Sequence, residues 1–187
     1  MKKILSLLLL PAVAGCLSSS PLAVSHWPVN YVGPVSAERP GNLGIGRVSQ
    51  VSVRAPYNAE GISVLRANGT VELDPYNEFA ALPSTLFKGI LLDAMAASGK
   101  FKTVVNSSSG ANSSVLVEMM VSRLALDCRQ KGERLAVVSL ILRVLKDGEI
   151  LGLEKGEGIA DAADGNYGAA FSKAFSDALS SALVRLP

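Results

Sequence analysis

Apolar residues recur three and four apart between Pro83 and Ser98, placing Leu86, Phe87, Ile90, Leu91, Ala94 and Met95 on one stripe and predicting a helix. Pro83 suits its first turn, and Gly99 suits the cap that ends it. A second helix is predicted over Tyr167 to Leu186. Tyr167, Phe171, Ala174, Phe175, Ala178, Leu179, Ala182, Leu183 and Leu186 form its apolar stripe, and Lys173, Ser176, Asp177, Ser180 and Arg185 are expected to face water. Asp164 or Asn166 is the expected N-cap of this helix.

The intervening segments are strand-like, although Ile45 to Arg54, with Val48, Val51 and Val53, alternates poorly. Ile45 to Arg54, Ile62 to Leu65, Val71 to Leu73 and Phe101 to Val105 predict strands, with Asp74 to Leu82 as a loop of turn formers. Val115, Val117, Met119 and Val121 alternate onto one face of a strand running to Asp127. Leu135 to Leu145 is apolar on both faces, the mark of a central strand. Asn68-Gly69 and Asp147-Gly148 predict tight hairpins with positive φ at both central residues, the second leading into Glu149 to Leu153. Asn106 to Ser114 is serine-rich and polar, and is expected to be a mobile loop. Two one-sided helices and a set of hairpins imply an α+β fold: a two-layer, mostly antiparallel (mixed) sheet with both helices on one face.

The first residues differ in kind. Lys2 and Lys3 precede the apolar run Ile4 to Val13, which is too short for a membrane span of roughly 20 residues and has signal-peptide length. Val13-Ala14-Gly15-Cys16 then resembles the lipobox of bacterial lipoproteins, which implies cleavage before Cys16 and acylation of its thiol. The predicted division is a signal peptide over 1–15, a lipidated N-terminus and proline-rich tether over 16–42, and a globular domain over 43–187. Leu22 to Val24 and Trp27 to Val35 are apolar enough for part of the tether to dock as an edge strand. Leu17 after the cysteine, by resemblance to enterobacterial sorting rules, implies the outer membrane, facing the periplasm.

Composition narrows the remaining possibilities. Without Lys2 and Lys3 the 18 basic residues fall to 16, level with the 16 acidic ones, which argues against a nucleic-acid binder. One histidine and two cysteines argue against a zinc site, and no cofactor is expected. His26 lies in the tether without a sequence-near carboxylate to orient it. Thr85-Leu86-Phe87-Lys88 matches Ser-x-x-Lys chemistry only superficially and reads as a first helical turn. Gly44-Ile45-Gly46 precedes a strand, the wrong context for a dinucleotide loop. Asp161 and Asp164 lack the alternating ligands of a calcium loop. With Cys16 acylated, Cys128 has no disulfide partner and is expected to be a small buried or strand-end residue. No catalytic residue is assigned, and the chain is not expected to be an enzyme.

Several segments carry a family likeness. Val51-Ser52-Val53-Arg54-Ala55-Pro56-Tyr57 is followed by Gly61-Ile62-Ser63-Val64-Leu65-Arg66, then by Tyr76-Asn77-Glu78-Phe79-Ala80-Ala81-Leu82-Pro83 leading into a helix. That helix leaves through Ala97-Ser98-Gly99-Lys100-Phe101 into Lys102 to Val105. Over Leu43 to Val105 this order resembles the ABC-type transport auxiliary lipoproteins, the PqiC-like family, which usually have tryptophan at the place of Phe79. The resemblance implies an outer-membrane lipoprotein that works with a mammalian-cell-entry-type (MCE) periplasmic protein and an inner-membrane permease and ATPase in moving lipids. Its expected task is to dock or anchor the MCE-type protein, and homo-oligomer formation is left open. Alternatives are a lipid carrier with its own apolar cavity, or an assembly lipoprotein for an outer-membrane machine.

Overall fold

The computed structural model describes residues 23–35 and 41–186. The signal peptide, Cys16 and the first part of the tether lie outside the described residues. Within them the chain forms an α+β fold, a mixed sheet of eight strands with two helices on one face.

The sheet is organised around one long strand, β6. In chain order the strands are β1 (Ser25–Trp27), β2 (Ile45–Val53), β3 (Gly61–Arg66), β4 (Val71–Phe79), β5 (Thr103–Val105), β6 (Val115–Cys128), β7 (Leu135–Lys146) and β8 (Glu149–Asp161). Helix α1 (Pro83–Ala97) lies between β4 and β5, and α2 (Tyr167–Arg185) follows β8. β2 runs parallel to the first half of β6 and β3 parallel to its end, so the two lie in tandem along one edge. β7 pairs antiparallel with the other edge, and β8 closes that side. β5 flanks β2, while β4 and then β1 flank β3.

Alternation along β6 decides which side is buried. Val115, Val117, Met119 and Val121 point into the helix layer. A register shift after Val121 moves the inward phase to Leu124 and Leu126. β7 adds Val138, Leu140, Leu142 and Val144 to the same side. The helices meet over this surface where Phe87 of α1 lies 4.1 Å from Phe175 of α2, and α2 meets β4 where Phe79 lies edge-on to Phe171 at 5.1 Å.

Three departures from the sequence pattern have physical causes. β4 continues from Leu73 through Asp74 and Pro75 to Phe79, where a loop is expected. The register shift between Gly61 and Ser63 gives β4 the extra residues, and a bulge tolerates proline. Asn68-Gly69 has positive φ only at Gly69; Asn68 instead accepts from the Thr70 N–H and hydroxyl, a three-residue turn with a left-handed glycine. Asp147 and Gly148 both have positive φ, as that hairpin requires. β8 runs on to Asp161, eight residues past the expected end at Leu153.

The extension of β8 carries Gly156 and Gly158, which face α2. A Cβ at Gly156 would stand 2.0 Å from the carbonyl oxygen of Ala178, and one at Gly158 1.8 Å from that of Ala174. The helix therefore rests with its backbone directly on the strand. Their directions match antiparallel, since two residues of strand (~6.6 Å) accompany four of helix (~6 Å). The Arg185 guanidinium, at the end of α2, bonds Glu154 at 3.0 Å and the carbonyl of Lys155 on the outer edge of β8.

Candidate docking surface

Residues 23–35 form a strap across the domain, the docking expected of the apolar tether segments. β1 joins β4 in parallel register, and the Trp27 indole donates to Asn77 Oδ1 at 2.9 Å. The strap then crosses α2 on the side away from β8, where Ser172, Ser176 and Ser180 stand one turn apart. The Asn30 N–H donates to Ser172 Oγ at 3.0 Å and the Val32 N–H to Ser176 Oγ at 2.8 Å. The Tyr31 hydroxyl meets Ser180 Oγ at 3.1 Å. Alternate amides of an extended chain thus match successive helical turns. Ser176 and Ser180, expected to face water, are buried and half-buried under the strap.

The opposite face of the sheet has no covering layer among the described residues. Across β8, β7, β6 and β2 its side chains align in rows. One row runs Leu153, Arg143, Glu118, Gln50, with Arg143 bonded to Glu118 at 3.1 Å. The next runs Lys155, Ile141, Met120, Ser52, and a later one Ile159, Val137, Ala125. Leu153 is 49% and Ile159 59% exposed. Near one end, Asp127 accepts from Arg129 at 2.7 Å and from Arg123 at 3.1 Å. The hydrogen bonds from Arg129 hold the Asp127 carboxyl below its ordinary range against the opposing effect of burial. The surface is a mixed one: apolar side chains interleaved with charges of both signs, among them the Arg143–Glu118 pair and the two arginines on Asp127.

The sequence candidates take ordinary places. His26 Nδ1 lies 3.7 Å from Glu78, a partner the fold supplies, but His26 is 61% exposed in its side chain. Thr85 and Lys88 are exposed on the first turns of α1. Asp161 and Asp164 accept from backbone N–H groups of Ala163 and Asn166, and Asn166 caps α2 through the Ala169 N–H. Cys128 ends β6, half-buried and free, and burial pushes its thiol up. Among the described residues no group of three metal-ligating side chains converges.

One polar constellation lies outside the sequence reading. The Arg47 guanidinium bonds the carbonyls of Ser107 at 3.2 Å and Ser109 at 3.0 Å, that of Ala111, and Ser113 Oγ at 3.1 Å. The polar Asn106–Ser114 segment, expected to be mobile, is thereby gathered around one cation. An apolar cleft of about 140 Å³ lies between the strap and the ends of the two helices, lined by Tyr31, Val35, Ala97, Leu183 and Val184 with Lys100 beside them.

No family model and no curated protein matches the chain. Solved structures do match. A Xanthomonas campestris protein of the family model DUF330 aligns with 84% of this chain and 91% of its own, at TM-score 0.70 and 16% identity. The likeness is one of fold. A second structure, of an uncharacterized protein, covers 78% of this chain and 97% of its own at TM-score 0.50 and 12% identity. A PelC dodecamer from Paraburkholderia phytofirmans covers 79% and 92% at TM-score 0.47 and 12% identity.

Proposed function

We propose that this chain is a lipid-anchored docking component of an ABC/MCE-type intermembrane lipid transport system, attached through Cys16 and holding the MCE-type periplasmic protein at the outer membrane. The observation that carries the reading is the uncovered sheet face. Its exposed Leu153 and Ile159 can be buried by a partner, while the Arg143–Glu118 pair gives orientation without a net charge to neutralise. A nucleic acid or an anionic surface would call for a basic face instead.

Docking is favoured over carrying by the packing between the layers. The helix α2 rests on glycine backbone, Phe175 packs on Phe87 of α1 and Phe171 on Phe79 of β4.

The test is co-purification from detergent extracts with Leu153→Asp and Ile159→Asp combined. Buried anchors each contribute about 2 kcal/mol, so recovery of the MCE-type protein is expected to fall at least tenfold. Undiminished recovery would remove the sheet face from the mechanism. Recovery of a β-barrel partner in place of the MCE-type protein would favour assembly of an outer-membrane machine.

A further inference from the structure

We infer that the β1–β4 edge of the domain is its bilayer-facing side, held against a zwitterionic phospholipid surface by a leash that the strap has shortened. The inference rests on the proposed acylation of Cys16. The sequence division allows a tether through Asn42, long enough to hold the domain far from any membrane. The strap removes most of that length, because pairing with β4 begins at Ser25 and the contacts with α2 continue through Val32. Nine residue steps separate Cys16 from Ser25, and whatever their conformation they span at most about 32 Å.

The place where the chain leaves the domain fixes which side that is. Ser25 pairs with Asn77, so Val24 stands one step earlier on this outer edge, beside Tyr76. Val24, Leu73 and Tyr76 are among the large apolar side chains left exposed, at 37%, 53% and 51%. Tyrosine with an apolar neighbour suits the headgroup level of a bilayer. The charged groups around them select the kind of surface. Glu72 is paired with Arg66 and Glu78 lies near His26, while Asp74 accepts from the Tyr76 N–H and the Asn77 amide. This edge has no excess of cations with which to recruit anionic lipid.

The pairing of β1 with β4 and the Trp27 indole bond to Asn77 hold the leash short, and the serine row on α2 backs them. β1 must release before residues 25–27 can add to the reach, and the serine contacts as well before residues 28–32 can.

The test uses the full acylated chain in phosphatidylcholine vesicles carrying a dansyl-headgroup lipid as energy acceptor. Trp27 is the sole tryptophan. In a Trp27→Phe background, a donor introduced by Tyr76→Trp is compared with one introduced by Glu149→Trp, at the hairpin joining β7 to β8. Transfer is expected to be at least threefold stronger from position 76, and equal or reversed transfer overturns the inference. A second measurement keeps Trp27 and every contact in the fold, inserting twenty Gly/Ser residues after Leu22. The insert adds about 25 Å of mean reach, and transfer from Trp27 should fall at least twofold. Unchanged transfer overturns the inference as well. Vesicle flotation separates the two failures. If Cys16→Ser floats as the parent does, the anchor is wrong; if only the parent floats and the donors show no order, the orientation alone is wrong.

Discussion

Gly158→Ala adds one methyl group at the contact between β8 and α2, and its cost can be worked from distances. The new Cβ would lie 1.8 Å from the Ala174 carbonyl oxygen, 2.7 Å from its carbon and 3.0 Å from the Ala178 nitrogen. All three atoms are helix backbone, so no rotamer change relieves the clash. Reaching ordinary contact requires α2 to lift by roughly 1.5 Å, and a gap of even 0.5–1 Å forfeits a quarter to a half of each dispersion contact beneath it. Phe171, Phe175 and Leu179, all buried, lie on that surface. The loss should reach about 3 kcal/mol, at the upper end for overpacking. The lower unfolded-state entropy of alanine returns only about 0.4–1 kcal/mol. Urea unfolding followed by circular dichroism measures it, with a fall in Tm of about 6–12 °C expected for a domain of this size. The control is Gly89→Ala on α1, where nothing lies within 4 Å of the added carbon. That change should stabilise by about 0.5–1 kcal/mol through helix propensity. A loss below about 1 kcal/mol at Gly158, or the same sign at both glycines, would refute the backbone-on-backbone contact.

Four further outcomes are expected. Ser172→Ala with Ser176→Ala removes two acceptors from the strap, and amide exchange at Asn30 and Val32 should accelerate at least tenfold, read by hydrogen exchange. Arg47→Ala frees the carbonyls of Ser107, Ser109 and Ala111 and should make limited proteolysis within Asn106–Ser114 several-fold faster. Because the folded Asp127 carboxyl lies below its unfolded value, its contribution is present above the unfolded pKa and is lost as pH falls through the lower, folded one. Asp127→Asn should therefore flatten the acid limb of stability below about pH 4, and an unchanged limb would dissociate Arg129 from it. Cys128, with its thiol pushed up by burial, should react with iodoacetamide at pH 8 far more slowly in the folded chain than in urea.

The parts of the fold legible in the sequence were those whose pattern and packing agree. The α1 stripe, the inward alternation of Val115 to Val121 and the two-faced apolar run of β7 all reflect burial, which hydropathy reports. The second half of β8 was illegible for a physical reason. Its inward positions are Gly156, Gly158 and Ala160, small because helix backbone lies against them, so the strand lacks the large apolar residues that announce one. Ser176 misled in the opposite direction. It is polar and buried because its partner is backbone from a segment 144 residues away. The docking face has the same difficulty, since Leu153, Ile141 and Met120 become one surface only when three strands align. Cys16, the site residue most legible in the sequence, lies outside the described residues.

The seating of α2 on β8 also limits how copies of this chain can meet. Were the outer edge of β8 to pair antiparallel with the same edge of another molecule, the two strands would sit about 4.8 Å apart. Each would bring its own helix directly overhead, and packed helix axes need 8–10 Å. The two cannot occupy that space together, and Arg185 already holds the Lys155 carbonyl that such pairing would use. A thirteen-residue border strand, ordinarily an invitation to fibril growth, is thus shielded by its own roof from antiparallel pairing with its twin.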